Sequence, residues 1–186
     1  MVSYAYTGAG RLSSSTQTDL TTTFRYDGLG RNLTTTTDTD YGDETTTAVW
    51  AGMEVIQQTS DVSGTATLVQ DALGQVALQS RTPGDTSNAA TWSLQDRLGS
   101  TVAQTTTSGR ITDLASYSDF GIPTFDSTGF ASSTGFTGEL SDATTGLNSY
   151  FSRTYDPFSA TWLSADSYRG TRTGPASQNR YGYVEG

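Results

Sequence analysis

Tyr26-Asp27-Gly28-Leu29-Gly30-Arg31-Asn32-Leu33 reads as a turn between two strands. An aspartate accepts backbone hydrogen bonds where the chain bends, and a glycine supplies the positive φ that closes a hairpin with a bulge. The flanks, Phe24-Arg25-Tyr26 and Arg31-Asn32-Leu33, then run as paired strands. The tyrosine is expected to stack across the sheet with its hydroxyl in water. Twenty positions upstream, Tyr6-Thr7-Gly8-Ala9-Gly10-Arg11-Leu12 has the same form. Weaker copies follow at Gln70-Asp71-Ala72-Leu73-Gly74-Gln75-Val76 and Gln95-Asp96-Arg97-Leu98-Gly99-Ser100-Thr101. The last copy, Tyr117-Ser118-Asp119-Phe120-Gly121-Ile122, is read with Asp119 as its aspartate and one spacer fewer. A unit recurring in this way predicts an array of hairpins.

The rest of the chain supports an all-β reading. Threonine makes up about a fifth of the residues, in runs such as Thr34 to Thr37 and Thr105 to Thr107, and threonine is stiff at χ1 and favours strands. Helical periodicity is nearly absent. Thr34 to Thr47 reads as a long exposed hairpin, and residues 84–90 and 126–134 read as surface loops. Hydrophobic residues are only 33%, yet there are 10 Tyr, 7 Phe and 3 Trp, so the core should be thin, aromatic and spread along a sheet. The expected fold is a set of antiparallel β-hairpin repeats forming a curved open sheet or partial β-shell, with the last ~40 residues packed as a plug. Such a sheet has two edges, which either curl under cover or pair with another chain.

Charge and missing residue types exclude several functions. There are 19 acidic against 10 basic residues, a net charge of -9, which disfavours nucleic acid and anionic membranes as partners. Cys and His are both 0 and every basic residue is arginine. That removes disulfides, thiolate metal sites, the commonest general base and Schiff-base chemistry. No cofactor or metal is expected. Met1-Val2-Ser3-Tyr4 has neither a basic flank nor an apolar run, so no signal peptide is expected there, and no stretch is long enough for a membrane helix.

Beyond residue 92 the chain resembles the core domain of YD-repeat (RHS-type) proteins. Asp96-Arg97-Leu98-Gly99-Ser100 is similar to that family's Asp-x-Leu-Gly-Ser step. Phe136-Thr137-Gly138-Glu139, Asp142 and Thr145-Gly146-Leu147 follow its Phe-Thr-Gly and Thr-Gly-Leu stretch. Arg153-Thr154-Tyr155-Asp156-Pro157, then Trp162-Leu163-Ser164-Ala165-Asp166, resemble Arg-Tyr-Tyr-Asp-Pro and Gly-Arg-Phe-Leu-Ser-x-Asp-Pro, with Ala160-Thr161 in place of the Gly-Arg. Asn179-Arg180-Tyr181-Gly182-Tyr183-Val184 resembles the closing Asn-x-Tyr-x-Tyr-Val. The resemblance divides the chain into hairpin repeats over 1–91 and a repeat-associated core over 92–186, expected to share one continuous sheet. It implies a hollow shell with a C-terminal plug, enclosing or presenting a partner or toxin cargo, outside or on the surface of a bacterium. Other repeat segments, or further copies through the sheet edges, are the implied partners.

Two alternatives accompany this reading. Tyr150, Tyr155, Trp162, Tyr168, Tyr181 and Tyr183 form an aromatic-rich end that could stack on sugars, which would make the chain a glycan- or protein-binding adhesion module. Asp156 and Asp166 are the candidates for an aspartate-dependent self-cleaving core, because coupled carboxylates share a proton. Against that, Asp156 suits a turn and Asp166 a loop cap near Arg169. The family's Asp-Pro-x-Gly-Leu cleavage motif does not occur within residues 1–186, so no enzymatic activity is expected. Asp38, Asp40, Asp43 and Glu44 lack the spacing of a calcium loop and read as a solvated acidic hairpin tip.

Overall fold

Twelve strands follow one another in antiparallel order: β1 (Val2–Tyr6), β2 (Leu12–Gln17), β3 (Leu20–Tyr26), β4 (Asn32–Thr39), β5 (Gly42–Ala51), β6 (Glu54–Ser60), β7 (Gly64–Gln70), β8 (Val76–Thr82), β9 (Ala90–Gln95), β10 (Thr101–Thr106), β11 (Ile111–Tyr117) and β12 (Pro123–Asp126). Each pairs with its neighbours in sequence, giving one open meander. The structure is a computed structural model that describes residues 2–82, 90–126 and 132–184. The surface loops expected at 84–90 and 126–134 fall largely outside these residues. The division placed at residue 91 lies inside β9, which pairs with both β8 and β10.

Threonine builds much of this sheet. The hairpin expected from Thr34 to Thr47 is β4 and β5, with Thr34 opposite Thr47 and Asp38 opposite Asp43. Cross-strand hydroxyl pairs tie the strands at Thr16–Thr21 (3.1 Å), Thr22–Thr37 (3.0 Å), Thr36–Thr45 (3.2 Å) and Thr59–Thr65 (3.0 Å). Such pairs each contribute a few tenths of a kcal/mol to about 1 kcal/mol, which offsets a shortage of aliphatic side chains. Alternation decides the faces. Thr22, Phe24, Thr37, Ala48, Val55, Ala66 and Leu68 are buried on the inner face, whereas Thr23, Val49 and Val69 point outward.

Residues 132–184 leave the sheet and pack on its inner face. They hold a one-turn 3-10 helix (Phe136–Gly138), a small second sheet of β13 (Leu140–Ser141), β14 (Asn148–Ser149), β15 (Thr154–Asp156) and β16 (Thr161–Trp162), and a second 3-10 turn (Pro175–Gln178). This plug is longer than the last forty or so residues expected, because its docking already begins at Ser133, whose amide donates to Gln79 Oε1 on β8 at 3.0 Å. Three small cores form between plug and sheet. Leu140 joins Ala48, Val55, Ala66, Leu68 and Val76; Leu147 and Leu163 join Leu12 and Phe24; Phe136, Tyr155 and Trp162 form the third with Tyr117, Tyr150 and Tyr183 against them.

The plug also measures how far the sheet curls. Laid flat, twelve strands spaced ~4.8 Å apart would separate the two edges by about 50 Å. Yet adjacent plug residues touch both ends. The Tyr155 hydroxyl donates to the Phe120 carbonyl after β11 at 2.9 Å, and Asp156 Oδ2 accepts from the Tyr4 hydroxyl on β1 at 3.4 Å. The sheet therefore wraps around the plug, while among the described residues β1 and β12 remain its edges.

Candidate functional site

One rim of the sheet carries the repeated turns. In each, the first turn residue donates its amide to the carbonyl four positions on and accepts from the glycine amide three positions on. The distances are 3.0 and 3.0 Å at Asp27, 2.8 and 3.1 Å at Asp71, and 3.0 and 3.1 Å at Asp96. The carboxylate Oδ1 then accepts two further amides, from Leu29 (2.9 Å) and Arg31 (3.0 Å) at Asp27, from Leu73 (2.7 Å) and Gln75 (3.1 Å) at Asp71, and from Leu98 (2.8 Å) and Ser100 (2.9 Å) at Asp96. Thr7 fills the same place with Oγ1 on the Arg11 amide at 3.2 Å. Gly10, Gly30, Gly74, Gly99 and Gly121 all have positive φ and sit where the bulge returns the chain to the next strand.

The last copy has the same spacing as the others, which corrects its sequence reading. Ser118, not Asp119, occupies the first position: its amide donates to Ile122, its carbonyl accepts from Gly121, and its Oγ accepts the Ile122 amide at 3.1 Å. Asp119 is the second turn residue. A further copy went unread at Thr106–Arg110, on the opposite rim, where Thr106 Oγ1 accepts the Arg110 amide at 3.2 Å. Its aspartate and aromatic slots are both threonine-type, so only the Gly109-Arg110 pair could have signalled it.

Successive turns stack, which explains the rest of the repeat. The Arg11 guanidinium lies where a Cβ on Gly30 would go and stands 5.7 Å from the Tyr26 ring. Arg31 reaches the next turn, donating to the Gly52 carbonyl at 2.9 Å and standing 5.9 Å from the Trp50 ring. It is also ion-paired with Asp27 at 2.6 Å. Desolvation pushes the Asp27 carboxyl up, but the Arg31 side chain and the Arg31 and Leu29 amides outweigh it and leave the group below its usual range. Glu54 then covers Gly74, and Gln75 Nε2 lies 2.5 Å from a Cβ position on Gly99. Positive φ favours glycine at both positions, and an added Cβ would have to push aside the end of the overlying Glu54 or Gln75 side chain.

The aromatic slot has a second purpose. The Tyr26 hydroxyl is not left in open water as expected: it comes close to Thr154 of the plug, and burial raises its pKa. At four other turns the slot residue donates to a carbonyl at the start of the preceding strand. Trp50 Nε1 meets Asn32 O at 2.8 Å, Gln70 Nε2 meets Val55 O at 2.5 Å, Gln95 Nε2 meets Val76 O at 2.6 Å, and the Tyr117 hydroxyl meets Thr101 O at 3.1 Å. Tyr, Trp and Gln are interchangeable here because each carries a donor at the end of a long side chain.

The plug residues singled out in the sequence gather around the third core. Phe136 presses on Gly121, and Gly138, with positive φ, sits against the Gly99 carbonyl. Asp142 builds another turn, its Oδ1 accepting Thr144 and Thr145 amides at 2.9 Å each, closed by Gly146 and leading into buried Leu147. Tyr155 is 0% exposed. Its ring lies 4.2 Å from Tyr183 and 5.6 Å from Trp162, and burial first, then the Tyr183 and Asp156 charges, push its hydroxyl up to about 12. Pro157 is fully buried and Leu163 lies in the second core. Arg153 covers Trp162 at 4.0 Å. Asn179 Oδ1 accepts the Tyr181 amide at 3.2 Å, and the Tyr181 carbonyl accepts Trp162 N at 3.0 Å. Of the aromatic-rich end, Tyr150, Tyr155, Trp162 and Tyr183 stack on one another, while Tyr168 and Tyr181 face outward.

The two candidate aspartates have separate partners. Asp156 accepts from Tyr4, from the Phe158 amide at 2.9 Å and from Ser159 Oγ at 2.8 Å. Asp166 accepts the Tyr168 amide at 2.8 Å and pairs with Arg153 at 2.9 Å. The Tyr168 amide, then Arg153 and Arg180, outweigh desolvation and hold its carboxyl below the usual range. The cation beside it is therefore Arg153, with Arg180 on its carbonyl, rather than the Arg169 suggested by proximity in sequence. Tyr4, Gln79 and Arg180 escaped notice because each acts only through a partner distant in the chain.

A cavity of about 380 Å³ lies between β4–β7 and the plug, lined mainly by hydroxyls including Thr35, Thr37, Thr46, Ser60 and Ser141, with Glu44 and Asp142. Glu44 bonds Ser60 Oγ at 2.9 Å. Among the described residues, no group of acidic side chains is clustered to hold a metal, and no helix is long and apolar enough to cross a membrane.

No protein-family model and no curated protein matches this sequence. Among solved structures, the fold is shared with chains of TcdB2–TccC3 toxin complexes. A chain of the TcdB2–TccC3–Cdc42 crystal structure superposes with a TM-score of 0.73 at 22% identity, over 99% of this chain and 10% of its own length. TcdB2–TccC3 alone gives 0.75 at 20%, over 99% and 10%. The Tc holotoxin pore of Photorhabdus luminescens, with a TccC3 variant, gives 0.75 at 20%, over 99% and 9%. The likeness is one of fold, and this chain spans about a tenth of those chains.

Proposed function

We propose that this chain is a structural segment of an extracellular β-shell, with residues 132–184 as a plug, and that the shell encloses or presents a partner such as a toxin cargo. The observation that carries this reading is the wrap of the sheet: Tyr155 and Asp156 hold turn and strand from opposite ends of a twelve-strand meander. Its support is the fold shared with chains of TcdB2–TccC3 complexes over 99% of this chain. The open edges β1 and β12 are where further repeat segments or further copies would join.

The same reading holds the chain to be no enzyme. Asp156 and Asp166 serve turns and an Arg153 clasp, and the sugar-stacking alternative loses support because most of the aromatic end is packed on itself. The hydroxyl-lined cavity suits the wall of an internal chamber.

The test joins an unrelated reporter protein to the chain and follows the product by light scattering, negative-stain microscopy and limited proteolysis. Hollow particles or curved assemblies that shield the reporter are expected. A compact monomer that leaves the reporter fully digestible overturns the shell reading. Intact mass over days checks the non-enzymatic reading, since fragmentation abolished by Asp166→Asn would restore self-cleavage.

A further inference from the structure

Glu139 sits at the junction of plug and sheet with little freedom to leave it. Its amide donates to the Phe136 carbonyl at 3.2 Å and its carbonyl accepts from Gly135 at 2.9 Å. The 3-10 turn before it is pinned to the start of β10, where the Thr101 amide meets the Gly135 carbonyl at 3.0 Å and Ser100 Oγ accepts the Thr137 amide at 3.1 Å. Leu140, next in the chain, is packed in the first core.

Glu139 borders a cavity of about 40 Å³ lined both by apolar Trp50, Leu68 and Leu140 and by polar Gln70, Thr134 and Ser149. Glu54, at the start of β6, borders the same cavity. The other titratable neighbour is Tyr150 of the plug, whose hydroxyl is shared with Thr137 at 2.6 Å and Tyr183 at 3.0 Å. β5, β7 and β8 contribute Trp50, Leu68, Gln70 and Val76, none of which titrates in the working range. Arg31, which reaches the β5–β6 turn at Gly52, is held by Asp27. Among the described residues no basic side chain lines this cavity.

We propose that the Glu139–Glu54 pair makes the seating of the plug on the sheet depend on protonation, tight when Glu139 carries a proton and loosened when it is ionised. Glu139 is partly buried and Glu54, across the same small cavity, is exposed; with no cation between them the two carboxylates repel, and an ionised Glu139 is also poorly solvated. A proton on Glu139 removes both penalties. Burial, and second the Glu54 charge, push the Glu139 carboxyl up to about 7 from an ordinary 4.5. The folded chain therefore holds an extra proton between those values. The resulting stabilisation is complete below about 4.5 and is lost as the pH rises through about 7. The effect concerns how the plug is held, whatever the shell contains.

The experiment compares thermal unfolding of the full chain, Glu139→Gln and Glu54→Gln between pH 5 and pH 8. The native chain should lose several degrees of Tm across that range, Glu139→Gln should be nearly flat, and Glu54→Gln should show a smaller fall. A carbon-13 titration of the Glu139 carboxyl in the unmutated chain, with hydrogen exchange at Gly135, Gly138 and Glu139, gives the answer even if a variant folds poorly. A midpoint near 7 with faster exchange above it supports the switch. A midpoint near 4.5, or an equal fall of Tm in Glu139→Gln, overturns it and leaves the shell reading standing, since that reading is judged by assembly and reporter protection.

Discussion

Gly10 and Gly121 share a backbone conformation, φ +77° and +86°, but not an environment. A Cβ on Gly10 would meet nothing within 4 Å, whereas on Gly121 it would lie 2.5 Å from Cδ1 of Phe136, whose ring is fixed in the third core. Gly10→Ala should therefore cost about 1 kcal/mol, the strain of the left-handed region alone, and Gly121→Ala several-fold more, measured by denaturant unfolding. The reverse case is Ala160, which has φ +54° at the position where the resembling family carries glycine. Ala160→Gly should stabilise the chain by about 0.5 kcal/mol, strain relief less the added freedom of the unfolded chain. The glycines of the turns were legible in sequence because positive φ leaves a residue signature. The atoms crowding them were not, because Phe136 and Gln75 come from another turn or from the plug.

At the scale of the element, the repeat is a device for joining one hairpin to the next. Its aspartate closes its own turn, its arginine reaches the glycine of the following turn, covering Gly30 or bonding the Gly52 carbonyl, and its aromatic slot donates to the strand before. Gln95→Leu keeps the size of the side chain but leaves the Val76 carbonyl without its 2.6 Å donor. It should cost about 1–2 kcal/mol in unfolding free energy, while Gln95→Glu should recover nothing at neutral pH because a carboxylate cannot donate. The turn positions were readable where the aromatic and the Gly-Arg pair framed the turn, as at Thr7, and were misplaced or missed at Ser118 and Thr106, where a hydroxyl took the aspartate slot without that full frame.

For the whole molecule, the plug sets both curvature and pH response. Tyr155→Ala removes a fully buried ring and the hydrogen bond to Phe120, and should cost about 3–5 kcal/mol. By freeing the sheet ends it should also shift light scattering towards larger assemblies. Two opposed titrations shape stability. Asp27 and Asp166 are held below 3.8, so their contribution is present at neutral pH and disappears as the pH falls through their lowered values. The Glu139 contribution runs the other way, fading between about 4.5 and 7. Stability measured against pH should be greatest at about pH 4–5 and fall on both sides.

The sequence alone determined the local geometry: an all-β chain of hairpins, with turns placed by Asp and Gly and strands by threonine and aromatics, because these preferences act within a few residues. The sheet-wide arrangement came only with the tertiary structure. Which turn stacks on which, how Tyr155 and Asp156 draw opposite ends of the sheet together, and the sharing of one small cavity by Glu54 and Glu139 all depend on residues far apart in the chain. No local preference encodes a contact of that kind; it arises when the inner face of a curved sheet must be covered, as residues 132–184 cover it here.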